Sequence, residues 1–384
     1  LTVFFRVDAN AAIGSGHFMR CSAIASALRE RGVDVRFLVS DENSRAFLGS
    51  AGVESIVMFG DCMNLGAEDG IRIASIVTAR DVVVVDSYAV SEPFFAAMAS
   101  CGLRVVYLDD AYTFTDGCLE IPKPWPVLGV VNYGFAFEEK DYRFVYGSRS
   151  PATFLLIGPR YAIVAPLFSS LAGTACISYP VLNVMVTSGS TNPHHSLERM
   201  VAGCRAALPQ ARITVVVGRA ATFEDSAFND DNLVLLHDVV DMAHLMLEND
   251  LVVSAAGTTL YELCTLGVPS AAVPIVDNQL INIGGFEKLA LGSVIKNLNW
   301  QPDDIRRAVV ELTVSQESLK RVHDSMRDCI KGDGAQLVAD ALIAVAKRGF
   351  GKAIAGGSRP SVQSSKCGLS EISVDVKPRT IRPT

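Results

Sequence analysis

Residues 3–32 read VFFRVDANAAIGSGHFMRCSAIASALRERG, and this stretch decides the fold. Val3–Val7 is a short β-branched and aromatic run, the composition of a buried strand. Met19–Arg31 carries Met19, Ala23, Ala27 and Leu28 at helical spacing and stops before Gly32, so it reads as a helix. Between them, Gly14 and Gly16 bring His17 to the helix N-terminus, where unpaired backbone N–H groups attract anions. Strand, glycine loop and helix form the opening unit of a parallel α/β sheet. His17 is the residue in it that needs a chemical reason.

The same alternation runs outward from this unit. VDVRFLVS (33–40), SIVMF (55–59), DVVVVD (81–86) and RVVYLDD (104–110) read as strands, with helices over 43–51, 67–79 and 92–101. Unbroken apolar strands separated by helices indicate a doubly wound parallel sheet. Residues 111–165 are less regular, rich in Pro, Gly and aromatics. Alternation then restarts: strands VLNVMVTSG (181–189), RITVVVG (212–218), LVLL (233–236), DLVVSA (250–255) and PSAAVPI (269–275), with helices over 193–207, 239–248 and from Thr258. Helices are expected from 278 to about 346. The division expected is a Rossmann-like domain over 1–165, a linker over 166–180, a second Rossmann-like domain over 181–346 and a disordered tail over 347–384. Ligands of such sheets bind beyond the carboxyl ends of the strands, here in a cleft between the halves.

At 384 residues, 49% apolar, the chain is long enough for two cores. Its net charge of −7, without a basic block, argues against a nucleic-acid partner. The 9 cysteines are scattered, odd in number and lack a C-x-x-C pair, which points to reduced thiols in a cytoplasm. No apolar run approaches the roughly 18 residues of a membrane span, and no signal-peptide pattern precedes the first strand, so no membrane anchor is expected. The first residue is Leu1, so the natural start is not legible, and neither is the oligomeric state.

A second stretch carries chemistry: LVVSAAGTTLYELCTLGVPSAAVPIVDNQ (251–279). A buried strand runs into Gly257, Thr258 and Thr259, where close backbone approach, hydroxyls and free N–H groups can hold a diphosphate. Glu262, one turn on, can accept hydrogen bonds from both hydroxyls of a ribose. Asn278 and Gln279 follow the next strand and are expected at the same cleft, as is Asp277. Taken singly, these pieces describe a capped helix with a surface glutamate as well as they describe a nucleotide site. The loop His237–Met242 offers backbone groups to a pyrimidine base, while Met242, Leu245 and Met246 read as core. No two histidines stand at metal-ligand spacing with a carboxylate, so neither a catalytic metal nor a cofactor is expected.

These stretches, with LIGPRYAIVAPLF (156–168), resemble the UDP-sugar hydrolases of pseudaminic acid biosynthesis, relatives of the lipid II-forming N-acetylglucosaminyltransferase. The resemblance runs over roughly residues 3 to 345 and leaves out the tail. It implies a GT-B fold, release of 2,4-diacetamido-2,4,6-trideoxy-L-altrose from its UDP conjugate, His17 as catalytic base, and Asp86, Ser87 and Tyr88 lining the sugar site. The family's acidic GGSD loop reads TSGSTN (187–192) here, with Ser190 facing substrate and Thr191 where Asp is expected.

The chemistry fits the residue. Hydrolysis of a sugar–UDP bond needs a proton acceptor at water and charge stabilisation at the departing diphosphate, and neutral imidazole near pH 7 can supply the first. The competing reading of His17 is a helix cap or simple anion contact. Gly14 and Gly16 would let the sugar approach the loop. Arg20, one turn after His17, could orient that loop, pair with Asp8 or remain solvated. Asp109 and Asp110 could bind sugar hydroxyls or cap a helix. His194 and His195 could touch phosphate, whereas His237, His244 and His323 read as structural. A glycosyltransferase of the same fold, a UDP-sugar 2-epimerase and a catalytically silent nucleotide-binding module all stay open.

Overall fold

The computed structural model describes residues 1–10, 13–109, 124–147, 150, 152–224 and 230–347. The first half runs β1 (Thr2–Val7), α1 (Gly16–Glu30), β2 (Asp34–Val39), α2 (Glu42–Ser50), β3 (Ser55–Val57), α3 (Ala67–Ile76), β4 (Val82–Asp86), α4 (Glu92–Ser100) and β5 (Arg104–Leu108). It continues through β6 (Gly129–Asn132), α5 (Glu139–Tyr146) and β7 (Phe154–Ile157) to α6 (Pro166–Ser170). All seven strands are parallel, in the order β3-β2-β1-β4-β5-β6-β7. The five residues of β4 are all buried, as expected of a strand covered by helices on both faces.

The second half runs β8 (Asn183–Thr187), α7 (Ser196–Ala207), β9 (Arg212–Val217), β10 (Leu233–His237), α8 (Met242–Leu247), β11 (Leu251–Ala255), α9 (Thr259–Leu266) and β12 (Ser270–Val273). Then come α10 (Leu280–Lys288), β13 (Ser293–Val294), α11 (Pro302–Leu312), α12 (Gln316–Cys329) and α13 (Gly334–Lys347). This sheet is parallel too, ordered β10-β9-β8-β11-β12-β13. Chain order reverses between β1 and β4 in one sheet and between β8 and β11 in the other. Crevices open at such switch points.

Three departures from the sequence expectation are physical. The irregular stretch 111–165 contains β6, α5 and β7, which widen the first sheet. β6 and β7 are only four residues each, and Gly129 is required because the Phe154 ring lies where a Cβ would sit, 2.1 Å away. The expected helix over 193–207 begins later, at Ser196, because His194 and His195 hold left-handed φ values of 54° and 52°. The residues after 278 are also not all helical, since β13 adds an edge strand to the second sheet.

The last helix returns to the first half. α13 packs on α1, with Arg31 Nε donating to Asp340 Oδ1 at 2.6 Å. Arg104 Nη1 donates to the Ala346 carbonyl at 2.6 Å. Arg160 Nη2 and Asp333 Oδ2, 2.7 Å apart, join the two chain crossings between the sheets. Among the described residues no helix is long and apolar enough to cross a membrane. Asp110 and the tail beyond residue 347 lie outside the described residues.

Candidate active site

Register places the first site residue. Val7, the last residue of β1, pairs with Asp86, the last of β4, so the loop after β1 begins beside a carboxylate at the switch point. Gly14 takes φ +80°, a conformation that costs most other residues strain, and the chain turns into α1 two residues later. His17 therefore sits in the first turn of α1, 6% exposed, with its ring against Asp86, itself 1% exposed.

Asp86 is the hub. His17 Nδ1 lies 2.5 Å from its Oδ1, and Arg20 Nε donates to Oδ2 at 2.5 Å. Arg20 Nη2 also donates to Oδ1, and Cys21 Sγ lies 3.4 Å from Oδ2. Burial on its own would raise the Asp86 carboxyl, but the Arg20 guanidinium and the hydrogen bonds from Arg20 and His17 hold it below the usual carboxylate range. An ionised carboxylate only accepts, so the proton between it and His17 belongs to Nδ1. Arg20 Nη2 also approaches Nδ1, at 2.7 Å, because both donors converge on one oxygen. That tautomer leaves Nε2 with its lone pair free to take a proton. The arrangement is a carboxylate–histidine dyad, the means by which an imidazole base is oriented.

Arg20 thus orients the dyad and does not pair with Asp8. Asp8 is occupied by Arg6 Nη1 at 2.7 Å and by the Ser40 backbone N–H at 2.6 Å, all buried. Asp109 is fully buried, accepts from the Tyr142 hydroxyl at 2.6 Å and lines neither of the two cavities beside His17.

His17 stands between two cavities. The larger, about 340 Å³, lies between the two sheets and is lined by Gly16, His17, Arg20, Tyr133, Thr258, Tyr261 and Glu262 together with Ile163, Val164 and Ala165. A smaller one, about 190 Å³, belongs to the first half alone and includes Asp86, Ser87, Tyr88, Cys62 and Met63. The Tyr88 ring meets the His17 ring edge-on at 4.6 Å.

Across the larger cavity, α9 starts at the carboxyl end of β11, with Thr258 before its first residue. Nothing lies closer than 3.8 Å to a Cβ built on Gly257, so the backbone there is open to a ligand. Glu262 is half-buried and has no hydrogen-bond partner among the described residues. Burial pushes its carboxyl up to about 7. An acceptor left unsatisfied in a crevice is costly for the free protein and ready for a hydroxyl donor.

The structure therefore brings Gly16, His17, Arg20, Thr258 and Glu262 to one cavity. Tyr88 lies on the far side of His17, and Gly14 shapes the turn. Gln279 is used locally, its Oε1 accepting from the Ile275 backbone at 2.9 Å, close to Gly257. Asn278, Asp277 and Ser190 are exposed and line neither cavity, and so is Val240 in the 237–242 loop. His194 and His195 are exposed beyond β8. Among the described residues no group of three or more His, Cys, Asp or Glu could hold a metal ion. Sequence reasoning missed Tyr133 and Tyr261. It named Asp86 only through a resemblance, although an acid ending a VVVV strand needs a buried partner.

Residues 183–339 match the glycosyltransferase family 28 C-terminal domain. That segment contains β11, α9 and Glu262. The UDP-N-acetylglucosamine–N-acetylmuramyl-(pentapeptide) pyrophosphoryl-undecaprenol N-acetylglucosamine transferase of Clavibacter sepedonicus is 33% identical over 163 residues, 41% of this chain and 44% of that protein. The uncharacterized protein MJ1062 of Methanocaldococcus jannaschii is 22% identical over 286 residues, 71% of this chain and 55% of that protein. The chain spans about half the length of the curated relatives it matches. Among solved structures, Acinetobacter baumannii MurG superposes with a TM-score of 0.60 at 16% identity, over 89% of this chain and 99% of that one. The spinosyn forosaminyltransferase SpnP gives 0.58 at 17%, over 90% and 100%. The fold is GT-B.

Proposed function

We propose that the protein binds a UDP-sugar in the cavity between its sheets and breaks the bond between the sugar's C1 and the diphosphate, with His17 as general base. The observation that carries this is His17, held by Asp86, facing across one cavity Glu262, which has no hydrogen-bond partner among the described residues, on a helix that starts at a strand end. Uridine ribose hydroxyls would donate to Glu262. The diphosphate would lie at the N-terminus of α9, against Gly257, Thr258 and Thr259, where N–H groups balance the charge of the leaving UDP.

In the reaction, Nε2 of His17 removes a proton from a hydroxyl as its oxygen attacks C1. The C1–O bond to the diphosphate breaks and UDP departs with the electron pair. Asp86 holds the ring and balances the imidazolium that forms, as carboxylates do beside other histidine bases. One displacement inverts C1.

Water is the attacking hydroxyl in the reading we favour, with a UDP-linked 2,4-diacetamido-2,4,6-trideoxyhexose of the L-altro form as substrate. It rests on the resemblance of the glycine loop and the 156–168 and 254–279 stretches. Transfer to an acceptor hydroxyl is the second reading. It is favoured by the match of residues 183–339 to a glycosyltransferase domain and by the 33% identity to a transferase over 163 residues. Incubating pure protein with a panel of UDP-sugars, with and without acceptors and with and without EDTA, separates the two. UDP released at full rate from the diacetamido sugar in water alone supports hydrolysis. Release only with an acceptor supports transfer, and release from no UDP-sugar defeats both.

A further inference from the structure

Tyr133 follows β6 and is 7% exposed, yet it touches both halves of the site. Its hydroxyl oxygen lies 3.4 Å from Arg20 Nη1, the guanidinium that grips Asp86. Its ring meets Tyr261 of α9 edge-on, with centroids 5.2 Å apart and an interplanar angle of 87°. Tyr261 is the residue next to Glu262.

The neighbouring contacts hold this junction closed. Phe135 lies flat on Tyr261, 4.2 Å between centroids and 4° between planes, and edge-on to Phe286 of α10 at 5.5 Å. Gly285 is required there, because a Cβ would come within 2.4 Å of the Phe135 carbonyl carbon. Lys288 at the end of α10 pairs with Glu138. Residues 133–138 of the first half are thus clamped on α9 and α10, and a displacement of α9 must move aromatic rings packed at contact distance.

We propose that Tyr133 is a positioning residue that couples the seating of α9 to the geometry of the His17–Asp86 dyad, through Arg20. This rests on the roles given above to His17 and α9. Binding of the nucleotide on α9 then supports chemistry in the other half of the molecule, so that affinity for the UDP part of the substrate appears in kcat as well as in KM.

Two variants test it. Tyr133→Phe keeps the ring contacts and deletes only the oxygen facing Arg20. Phe135→Leu removes the ring stacked on Tyr261 and lines neither cavity. Each is expected to lower kcat about 3- to 30-fold, the range for residues that carry coupling between sites, with the Kd for UDP unchanged by calorimetry. In an Arg20→Gln background, Tyr133→Phe is expected to have no further effect, because its route to the dyad is already cut. Wild-type kcat in folded Tyr133→Phe protein, or effects that multiply in the double variant, would overturn the inference. Wild-type rates in Arg20→Gln and His17→Ala as well would instead overturn the function on which it rests.

Discussion

Nδ1 of His17 and Oδ1 of Asp86 stand 2.5 Å apart, although they lie 69 positions apart in the chain. The contact exists because β1 and β4 are neighbours and end together, Val7 opposite Asp86. It assigns the proton on the ring and directs the free nitrogen away from the carboxylate. The proton transfer proposed for His17 depends on that assignment.

Asp86→Asn tests it first. An asparagine amide can donate to Nδ1 and hold the ring in the other tautomer, with no base at Nε2. The expected loss in kcat is about 10²–10⁴, as when a triad carboxylate is amidated, with UDP affinity retained. Arg20 is 8% exposed and would lose its anionic partner, so the variant should also melt earlier, by a destabilisation of about 3–5 kcal/mol. Stopped-assay kinetics and a thermal melt on the same preparation read both effects.

Glu262→Ala removes the acceptor proposed for the ribose. Calorimetry should show UDP binding weakened by about 1–3 kcal/mol, the scale of lost hydrogen bonds to a charged group. Because the carboxylate form is the one that accepts, affinity of the wild-type protein for a UDP-sugar should rise between pH 6 and 8, as Glu262 ionises near 7. A UDP-sugar is the right ligand, since its diphosphate does not titrate in that window. Glu262→Gln should flatten the rise.

The same group makes an opposite prediction for stability. Its carboxyl is raised from 4.5 to about 7 by burial, so the folded protein holds its proton more tightly than the unfolded chain. The advantage is complete below pH 4.5 and is lost as pH rises through 7, where the folded protein carries a poorly solvated charge. Without ligand, Glu262→Gln should match the wild type at pH 4.5 and be more stable at pH 8, by up to about 3 kcal/mol. Denaturant melts at the two pH values measure it. Equal stability at both would show that solvent reaches the carboxylate fully.

Much of this was legible in the sequence because the signals are local. The glycine loop before His17, the apolar strands and the Gly257–Glu262 helix start each declare themselves within about ten residues, by periodicity and by turn chemistry. What could not be read depends on register and on side chains meeting across sheets. VVVVD announces a buried acid, but only the pairing of β1 with β4 shows that Arg20 and His17 meet it. Tyr133 lies in the Pro- and aromatic-rich stretch that has no period, in front of a four-residue strand, and its partner Tyr261 looks like ordinary core of α9. Ser190 and Asn278 follow strands in the right half, and they are exposed and line neither cavity, which their position in the sequence did not show.

The most direct measurement is the single-turnover rate of His17→Ala on the UDP-sugar that the wild-type protein cleaves, beside its Kd for UDP. A rate lower by about 10²–10⁴ with unchanged Kd is the result expected on losing a general base. Cleavage by His17→Ala at the wild-type rate would contradict it, and would leave the histidine as no more than part of the loop between β1 and α1.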